Sequence, residues 1–163
     1  MKTTLTMLAL AASAALLAPA AQAHVTLEQT TGVAGSYQKL TFRVGHGCDG
    51  KATTGLTVSL PEGATGAKPM PKAGWKIDVA NSGAIHDISW KGGTLPDAYF
   101  DEFVVQVKLP ADPGKLYFRI VQQCGKVSVA WDEMPGEAGA KLKAPAPVLE
   151  VVPAPAGMQQ HQH

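Results

Sequence analysis

Short segments in which apolar and polar residues alternate follow one another along the chain after residue 23, separated by glycine and proline. In Leu40–Val44 every second side chain is apolar, and the segments Leu56–Leu60 and Trp75–Val79 repeat this pattern. A period of two puts successive side chains on opposite faces of the backbone, which is the geometry of a half-buried β-strand. Each segment is therefore predicted to be a strand, and none has the period of an amphipathic helix.

Further segments of the same kind complete an all-β pattern. They are Val25–Leu27, Ile85–Trp90, Phe103–Leu109, Leu116–Gln122, Val127–Trp131 and Pro145–Val152. The sequence thus predicts about nine strands, with prolines at strand ends, where a missing N–H is tolerated. Many short strands joined by turns indicate an antiparallel β-sandwich of immunoglobulin or cupredoxin type, which we assign to residues 24–152.

The two ends of the chain differ from this pattern. Lys2, the apolar run Leu5–Leu17 and the small residues of Ala21-Gln22-Ala23 are typical of a secretory signal peptide, residues 1–23. An uncleaved membrane anchor is the alternative, but it needs about 20 continuous apolar residues. Residues 153–163 lack the apolar mass to pack, so we expect a disordered tail. The protein is accordingly expected in a periplasm or outside the cell.

The charge of the exported chain is balanced. Removing Lys2 with the leader lowers the basic residues from 14 to 13, which equals the 13 acidic residues. A balanced chain without a basic cluster lacks the electrostatic character of a protein that binds nucleic acid, so no nucleic-acid partner is expected. The sequence also lacks the G-x-S-x-G, H-E-x-x-H and Gly-rich phosphate-loop motifs.

The chain contains two cysteines, Cys48 and Cys124. An exported protein meets an oxidising environment, in which an even number of cysteines favours a disulfide. The rival interpretation is a metal site with two thiolates, for which there is no C-x-x-C spacing. A disulfide that closes so long a loop contributes roughly 4–5 kcal/mol to stability in the chain-entropy model.

His24 directly follows the predicted cleavage point. Cleavage after Ala23 would give His24 a free α-amine beside its imidazole, and the amine nitrogen and Nδ1 form a chelate that suits tetragonal Cu(II). The α-amine has an ordinary pKa of about 8, so it loses its proton at modest cost when copper competes for it. Because some residue has to be first, the position alone is weak evidence.

Two further stretches carry candidate ligands. The loop Gly45–Gly50 holds His46 and Asp49, and Trp131 ends a strand directly before two acidic residues. One interpretation is purely structural: a disulfide-anchored turn with an exposed histidine, and a tryptophan in the core. The functional alternative places the indole of Trp131 at the rim of the sandwich, against a metal site to which the acidic residues could offer oxygen.

A series of motifs covers nearly the whole chain after residue 23. In order they are HVTLEQ, FRVGHGCDG, TTGLTVSLPEG, KPMPKAGWKI, ISWKGGTLPDAYFDEFVVQVKLP, LYFRIVQQCGKVSVAWDEMP and PAPVL. Their order and spacing resemble the YcnI-like family of exported proteins. The resemblance implies a β-sandwich with a single-histidine brace for Cu(II), in which the N-terminal histidine chelates through amine and imidazole. A carboxylate assists, and a tryptophan lies close to the metal.

The family's site residues can be carried over position by position. His24 matches the brace histidine and Trp131 matches the tryptophan. Asp49 is the candidate carboxylate, with Glu28 as the second choice, and His46 is a candidate further imidazole ligand. This chain has GHGCDG where other members carry an acidic loop without cysteines, so the identity of the third ligand stays open.

These residues favour an exported copper-binding protein, not an enzyme, that stores or delivers Cu(II) in copper homeostasis. Genes of such proteins typically sit with copper-homeostasis genes, so the implied partner is another copper-handling protein or a membrane copper transporter. Met158, His161 and His163 in the tail are further candidate ligands. Two other classes stay open: a copper-dependent oxidative enzyme, with His46 or His86 as second imidazole, and a metal-free structural or interaction β-sandwich.

Overall fold

The computed structural model describes residues 24–82, 85–136 and 141–155, which form twelve β-strands and no helix. In chain order the strands are β1 (Thr26–Leu27), β2 (Thr31–Val33), β3 (Tyr37–Val44), β4 (Thr53–Leu60), β5 (Thr65–Pro69), β6 (Lys76–Ser82), β7 (Ile85–Leu95), β8 (Asp101–Lys108), β9 (Gly114–Tyr117), β10 (Arg119–Cys124), β11 (Val127–Trp131) and β12 (Val148–Val152). These segments contain no helix with the length and apolarity needed to cross a membrane. The predicted leader, residues 1–23, and positions 156–163 of the predicted tail lie outside the described residues.

Two antiparallel sheets form the sandwich. One has the strand order β1-β3-β8-β5 and the other the order β11-β10-β4-β7-β6, so that β1 and β11 are edge strands. A smaller sheet with the order β2-β12-β9 contains the parallel pair of β2 and β12. A single apolar cluster draws its buried residues from both large sheets. The predicted all-β fold with antiparallel sheets in a sandwich is therefore confirmed.

The alternation in the sequence explains which side chains are buried. Leu40, Phe42 and Val44 on β3 are at most 1% exposed. Phe42 packs edge-to-face on Phe118, with ring centroids 5.4 Å apart, an arrangement that the quadrupoles of aromatic rings favour. The inward face predicted for Leu40–Val44 is thus the face that meets the core.

Several strand boundaries differ from the prediction for identifiable reasons. The predicted strand Leu116–Gln122 is two strands, β9 and β10, which pair with β12 and β4 in different sheets. β7 continues past its predicted end to Leu95, and Gly93 within this extension lies against the indole of Trp75, where any Cβ would overlap the ring. The last strand begins at Val148 rather than at Pro145, since proline lacks the N–H that a ladder requires. β2 and β5 are absent from the predicted pattern.

Cys48 and Cys124 form the predicted disulfide, with their Cα atoms 5.8 Å apart. The bond joins the Gly45–Gly50 loop, which follows β3, to the end of β10. Both residues are buried, at 5% and 0% exposure. The two-thiolate metal site is thereby excluded, because a disulfide leaves no thiolate to act as a ligand.

Candidate functional site

A histidine ring and a tryptophan ring meet at the edge of the sandwich where β1 and β11 lie. His24 precedes β1 and Trp131 ends β11, and their ring centroids are 5.7 Å apart with the planes at 64°. His24 is half-buried, whereas Trp131 is only 7% exposed and belongs to the apolar core. Trp131 is therefore a core residue whose ring also forms a wall beside His24.

A buried glutamine on β10 connects Trp131 to the rest of this edge. The Oε1 atom of Gln122 accepts a hydrogen bond from the Trp131 indole N–H at 3.2 Å. Its Nε2 atom donates to the backbone carbonyl of His46 at 2.8 Å and to the Thr53 hydroxyl at 2.7 Å. Gln122 is 1% exposed, so these bonds form away from water. We call Gln122, Trp131, Thr53 and the His46 carbonyl the Gln122 network.

His46 lies on the loop that the disulfide fixes. Its Nδ1 atom is 2.6 Å from the Gly47 carbonyl oxygen, and because a carbonyl only accepts, Nδ1 carries the proton and donates. Gly47 has no room for a side chain, since a Cβ there would overlap the Lys51 carbonyl. The Gly47 N–H in turn donates to Asp97 Oδ1 at 2.9 Å. His46 thus joins the Gln122 network through its backbone, and its imidazole hydrogen-bonds within its own loop.

Asp49 occupies a tight turn at the tip of this loop. The residues on either side, Cys48 and Lys51, exchange backbone hydrogen bonds of 3.1 and 3.0 Å. Asp49 and Gly50 between them have positive φ angles of 49° and 72°, the pattern of a type I′ turn, for which Asp-Gly is a favoured pair. The exposed Asp49 side chain therefore has a complete structural explanation as a turn former.

Glu28 is exposed, and its charge acts on Arg43. Arg43, which lies opposite Thr26 in the β1–β3 pair, hydrogen-bonds Glu102 at 2.8 Å. That hydrogen bond, followed by the charges of Glu102 and Glu28, raises the pKa of Arg43 above its ordinary value. Glu28 thus contributes to the charge balance around Arg43.

The acidic residue two positions after Trp131 is engaged elsewhere. Glu133 Oε2 accepts the backbone N–H groups of Lys143 at 2.6 Å and Ala144 at 3.0 Å. These two hydrogen bonds, with the Ala144 bond the larger cause, lower the pKa of the Glu133 carboxyl. This carboxylate holds a backbone segment in place.

Taken together, the described residues contain no group of three or more His, Cys, Asp or Glu side chains that could hold one metal ion. The structure brings His24 and Trp131 together and links Trp131 to the His46 backbone, but it does not gather Asp49, Glu28 and His46 into one ligand set with His24. A metal ion at His24 would consequently depend on the backbone nitrogen of that residue. The third ligand stays a prediction.

Two residues of this edge are missing from the sequence-based candidates. Gln122 was detectable in principle, because the alternation within β10 places it on the inward side with Ile120 and Cys124, and a buried amide needs partners. Asp97 follows a proline in a turn, and its contact with the backbone of Gly47, 50 residues earlier, carries no local signal.

The fold and this edge define an immunoglobulin-like β-sandwich that carries a histidine–tryptophan pair between two edge strands. The chain matches the family described as "Domain of unknown function (DUF1775)" over residues 24–151 and belongs to that family. The resemblance to the YcnI-like proteins is thereby confirmed at the level of the family.

Solved structures agree with this fold. The chain is 31% identical to an uncharacterised protein from Nocardia farcinica with an immunoglobulin-like fold, with a TM-score of 0.67 over 78% of this chain and 97% of that one. It is also similar in fold alone to the sixth cohesin of scaffoldin B from Acetivibrio cellulolyticus, at 9% identity and a TM-score of 0.50 over 80% and 99% of the two chains. None of the curated proteins matches this chain.

Proposed function

We propose that this protein is exported and holds Cu(II) as cargo at a mature N-terminal His24, for copper storage or delivery. One observation carries the proposal. The residue that directly follows the predicted cleavage point packs its imidazole against a buried tryptophan at the sandwich edge, with ring centroids 5.7 Å apart. This contact gives the residue at the predicted processed end a defined place beside the core.

The donor chemistry at this position fits the proposed cargo. An α-amine and an imidazole on one residue supply two nitrogen donors in a plane, as tetragonal Cu(II) prefers. His24 is half-buried and its ring contacts the indole of Trp131 edge-to-face, so part of the residue stays accessible to a ligand or a partner. A chelate that one residue forms does not require three converging side chains, and the described residues do not offer three.

Titration of the processed protein with Cu(II), followed by electron paramagnetic resonance, tests the proposal. Protein that begins at His24 should bind one equivalent tightly with nitrogen hyperfine structure. Protein that retains Ala23 should lose this site, because the amine is then an amide. The variant His86→Gln is a matched control, since His86 lies on β7, which is separated from β11 by β10 and β4. Equal binding with and without Ala23 would contradict the proposal.

We propose that the protein is not an enzyme. An oxidative copper enzyme that acts on a polymer would need a substrate-binding face, and two exposed aromatic residues, Tyr99 and Phe100, are candidates for one, at 65% and 66% exposure. The copper-loaded protein should nevertheless produce no more peroxide with a reductant than free Cu(II) does. Catalytic peroxide production by the copper-loaded protein, with a rate that Tyr99→Ala or Phe100→Ala changes, would favour the oxidative class instead.

A further inference from the structure

We infer that Gln122 is a positioning residue of the His24 site: it fixes the Trp131 indole on one side and the His46 loop on the other. The inference rests on the proposed function for its consequences in copper binding. Its structural basis is independent of copper, because it depends on hydrogen bonds among Gln122, Trp131, Thr53 and the His46 backbone.

The orientation of the Gln122 side-chain amide is fully determined by its partners. The indole nitrogen of Trp131 can only donate, so the Gln122 oxygen must face it. The carbonyl of His46 can only accept, so the Gln122 nitrogen must face that side. A flipped amide would bring two donors together at Trp131 and two acceptors together at His46. Gln122 therefore has one arrangement that satisfies its neighbours.

Thr53 extends this directed arrangement to the disulfide. Its hydroxyl accepts from Gln122 Nε2 at 2.7 Å, and its oxygen lies 3.9 Å from Cys124 Sγ. A disulfide sulfur carries no hydrogen, so the Thr53 hydroxyl donates to it. Since Cys124 is bonded to Cys48, the network and the disulfide fix the Gly45–Gly50 loop at two separate points.

The position of Gln122 explains why it can act on His24 without contacting it. Gln122 lies opposite Val129 in the β10–β11 pair and opposite Leu56 in the β10–β4 pair, so it connects strands on both sides. Without its amide, the buried indole N–H of Trp131 loses its acceptor, and a buried donor without a partner is costly. The Trp131 ring would then turn toward another acceptor and leave its contact with His24.

The variant Gln122→Met tests this role, because methionine keeps the length of the side chain and removes both hydrogen-bonding groups. The matched control is Gln123→Met at the next position, where the amide donates to the Gly125 carbonyl at 2.6 Å on the other face of β10. Both variants should be made in protein that begins at His24. A thermal melt establishes first that each variant folds.

The first readout uses copper-free protein labelled with ¹⁵N and is read in the indole N–H region of an NMR spectrum. Trp131→Phe identifies the Trp131 signal. Gln122→Met should shift that signal and speed its exchange with solvent, and should also shift the backbone signals of the His46 loop. Gln123→Met should leave both sets in place. Unchanged indole and loop signals in Gln122→Met would overturn the inference.

The second readout is the affinity and spectrum of the Cu(II) complex. Removing a residue that orients a metal site typically weakens binding by about tenfold to a hundredfold, and we expect about tenfold for Gln122→Met. On the Trp131→Phe background the same change should have a smaller effect, because the residue acts through the indole. An unchanged affinity and hyperfine pattern in Gln122→Met, with copper bound normally by the wild type, would overturn the inference and leave the proposed function standing.

Failure of the proposed function has a different signature. If the wild type itself binds no Cu(II), the NMR readout still decides whether Gln122 fixes Trp131 and the loop. If Gln122→Met does not fold, Thr53→Val replaces it, since valine matches threonine in shape and removes one Gln122 partner. Thr53→Val should shift the Trp131 indole signal in the same direction, and an unchanged signal would contradict the role of Gln122.

Discussion

The three tryptophans of this sandwich lie in two regions that are held by different forces. Trp90 on β7 packs edge-to-face on Phe103 of β8 with ring centroids 5.6 Å apart, and Trp75 packs on the same phenyl ring at 5.0 Å. Lys72 places its ammonium 4.9 Å from the centroid of that ring. We call Trp75, Trp90 and Phe103 the aromatic cluster. Its contacts are mainly between ring surfaces, with one long hydrogen bond of 3.4 Å from the Trp90 indole N–H to the Met70 carbonyl. The Trp131 indole instead donates to a buried side chain, Gln122, which has further hydrogen-bond partners of its own.

The difference shows what each cluster contributes. Packing between buried rings removes a large apolar area from water, so the aromatic cluster mainly supplies stability. Buried hydrogen bonds add little net stability when satisfied, yet they exclude alternative arrangements because an unpaired buried group is costly. We therefore expect changes in the aromatic cluster to alter the free energy of unfolding most, and changes near the Gln122 network to alter the order of the His24 edge.

The largest effect on stability is expected from Phe103→Ala. Phe103 is 0% exposed and contacts Trp75, Trp90 and Lys72, so truncation leaves a cavity and should lower the free energy of unfolding by about 3–5 kcal/mol. Denaturant titration measures this loss. The matched control is Phe100→Ala, because Phe100 is 66% exposed. If the NMR signal of the Trp131 indole N–H also moves in folded Phe103→Ala, the aromatic cluster and the Gln122 network are not independent.

The double replacement Cys48→Ser and Cys124→Ser should destabilise the protein by about 2–5 kcal/mol, because the unfolded chain gains freedom. Unlike Phe103→Ala, it should also speed solvent exchange of the Trp131 indole N–H, since Thr53 and the His46 loop lose an anchor. Denaturant titration and NMR exchange measure the two effects. A loss of stability with an unchanged exchange rate of the Trp131 indole N–H would show that the disulfide does not support the Gln122 network.

Gly93→Ala should have an intermediate effect confined to the aromatic cluster. A Cβ at Gly93 would overlap the indole of Trp75, and overpacking of this kind costs about 1–3 kcal/mol. The matched control is Gly45→Ala on the loop that holds His46, where a Cβ would meet no atom within 4 Å. Thermal denaturation compares the two, and equal losses would show that the overlap with Trp75 is relieved.

The smallest effect is expected from Glu133→Gln and should depend on pH. Hydrogen bonds from the backbone of Ala144 and Lys143 lower the pKa of folded Glu133 below its ordinary value of 4.5. The carboxylate therefore stabilises the folded state fully above pH 4.5, and this stabilisation disappears as the pH falls through the lowered pKa. Melting curves from pH 3 to 7 should converge for wild type and Glu133→Gln at the acidic end. Glu62→Gln, at an exposed turn, is the control, because Glu62 takes no part in the hydrogen bonds from Ala144 and Lys143.

The sequence was sufficient for those parts of the fold that depend on local periodicity. The alternation in Leu40–Val44 identified an inward face that is buried, because side-chain direction in a strand is set by parity. It could not divide Leu116–Gln122 into two strands, because that division depends on which distant strands each half pairs with. Cys48 and Cys124 were predictable as a pair since the chain has no other cysteine.

The candidate site was predictable only in part. His24 was singled out by the cleavage pattern and Trp131 by its place at a strand end before two acidic residues, and the family resemblance supported both; all of these inferences use information along the chain. Gln122 contacts His46 and Thr53, which are 76 and 69 residues away, so its partners could not be read from local patterns. The inward position of Gln122 predicts that partners exist, and only the fold identifies them.

The parallel pairing of β12 with β2 has a consequence for the order of events during synthesis. β12 is hydrogen-bonded to β2 on one side and to β9 on the other, so the small sheet cannot form until Val148–Val152 have been made. Pairing between strands this far apart in the sequence slows folding, because a long loop must close before the paired strands gain stabilising contacts. A chain that ends before Val148 therefore leaves β2 and β9 without a common neighbour, and the small sheet cannot close.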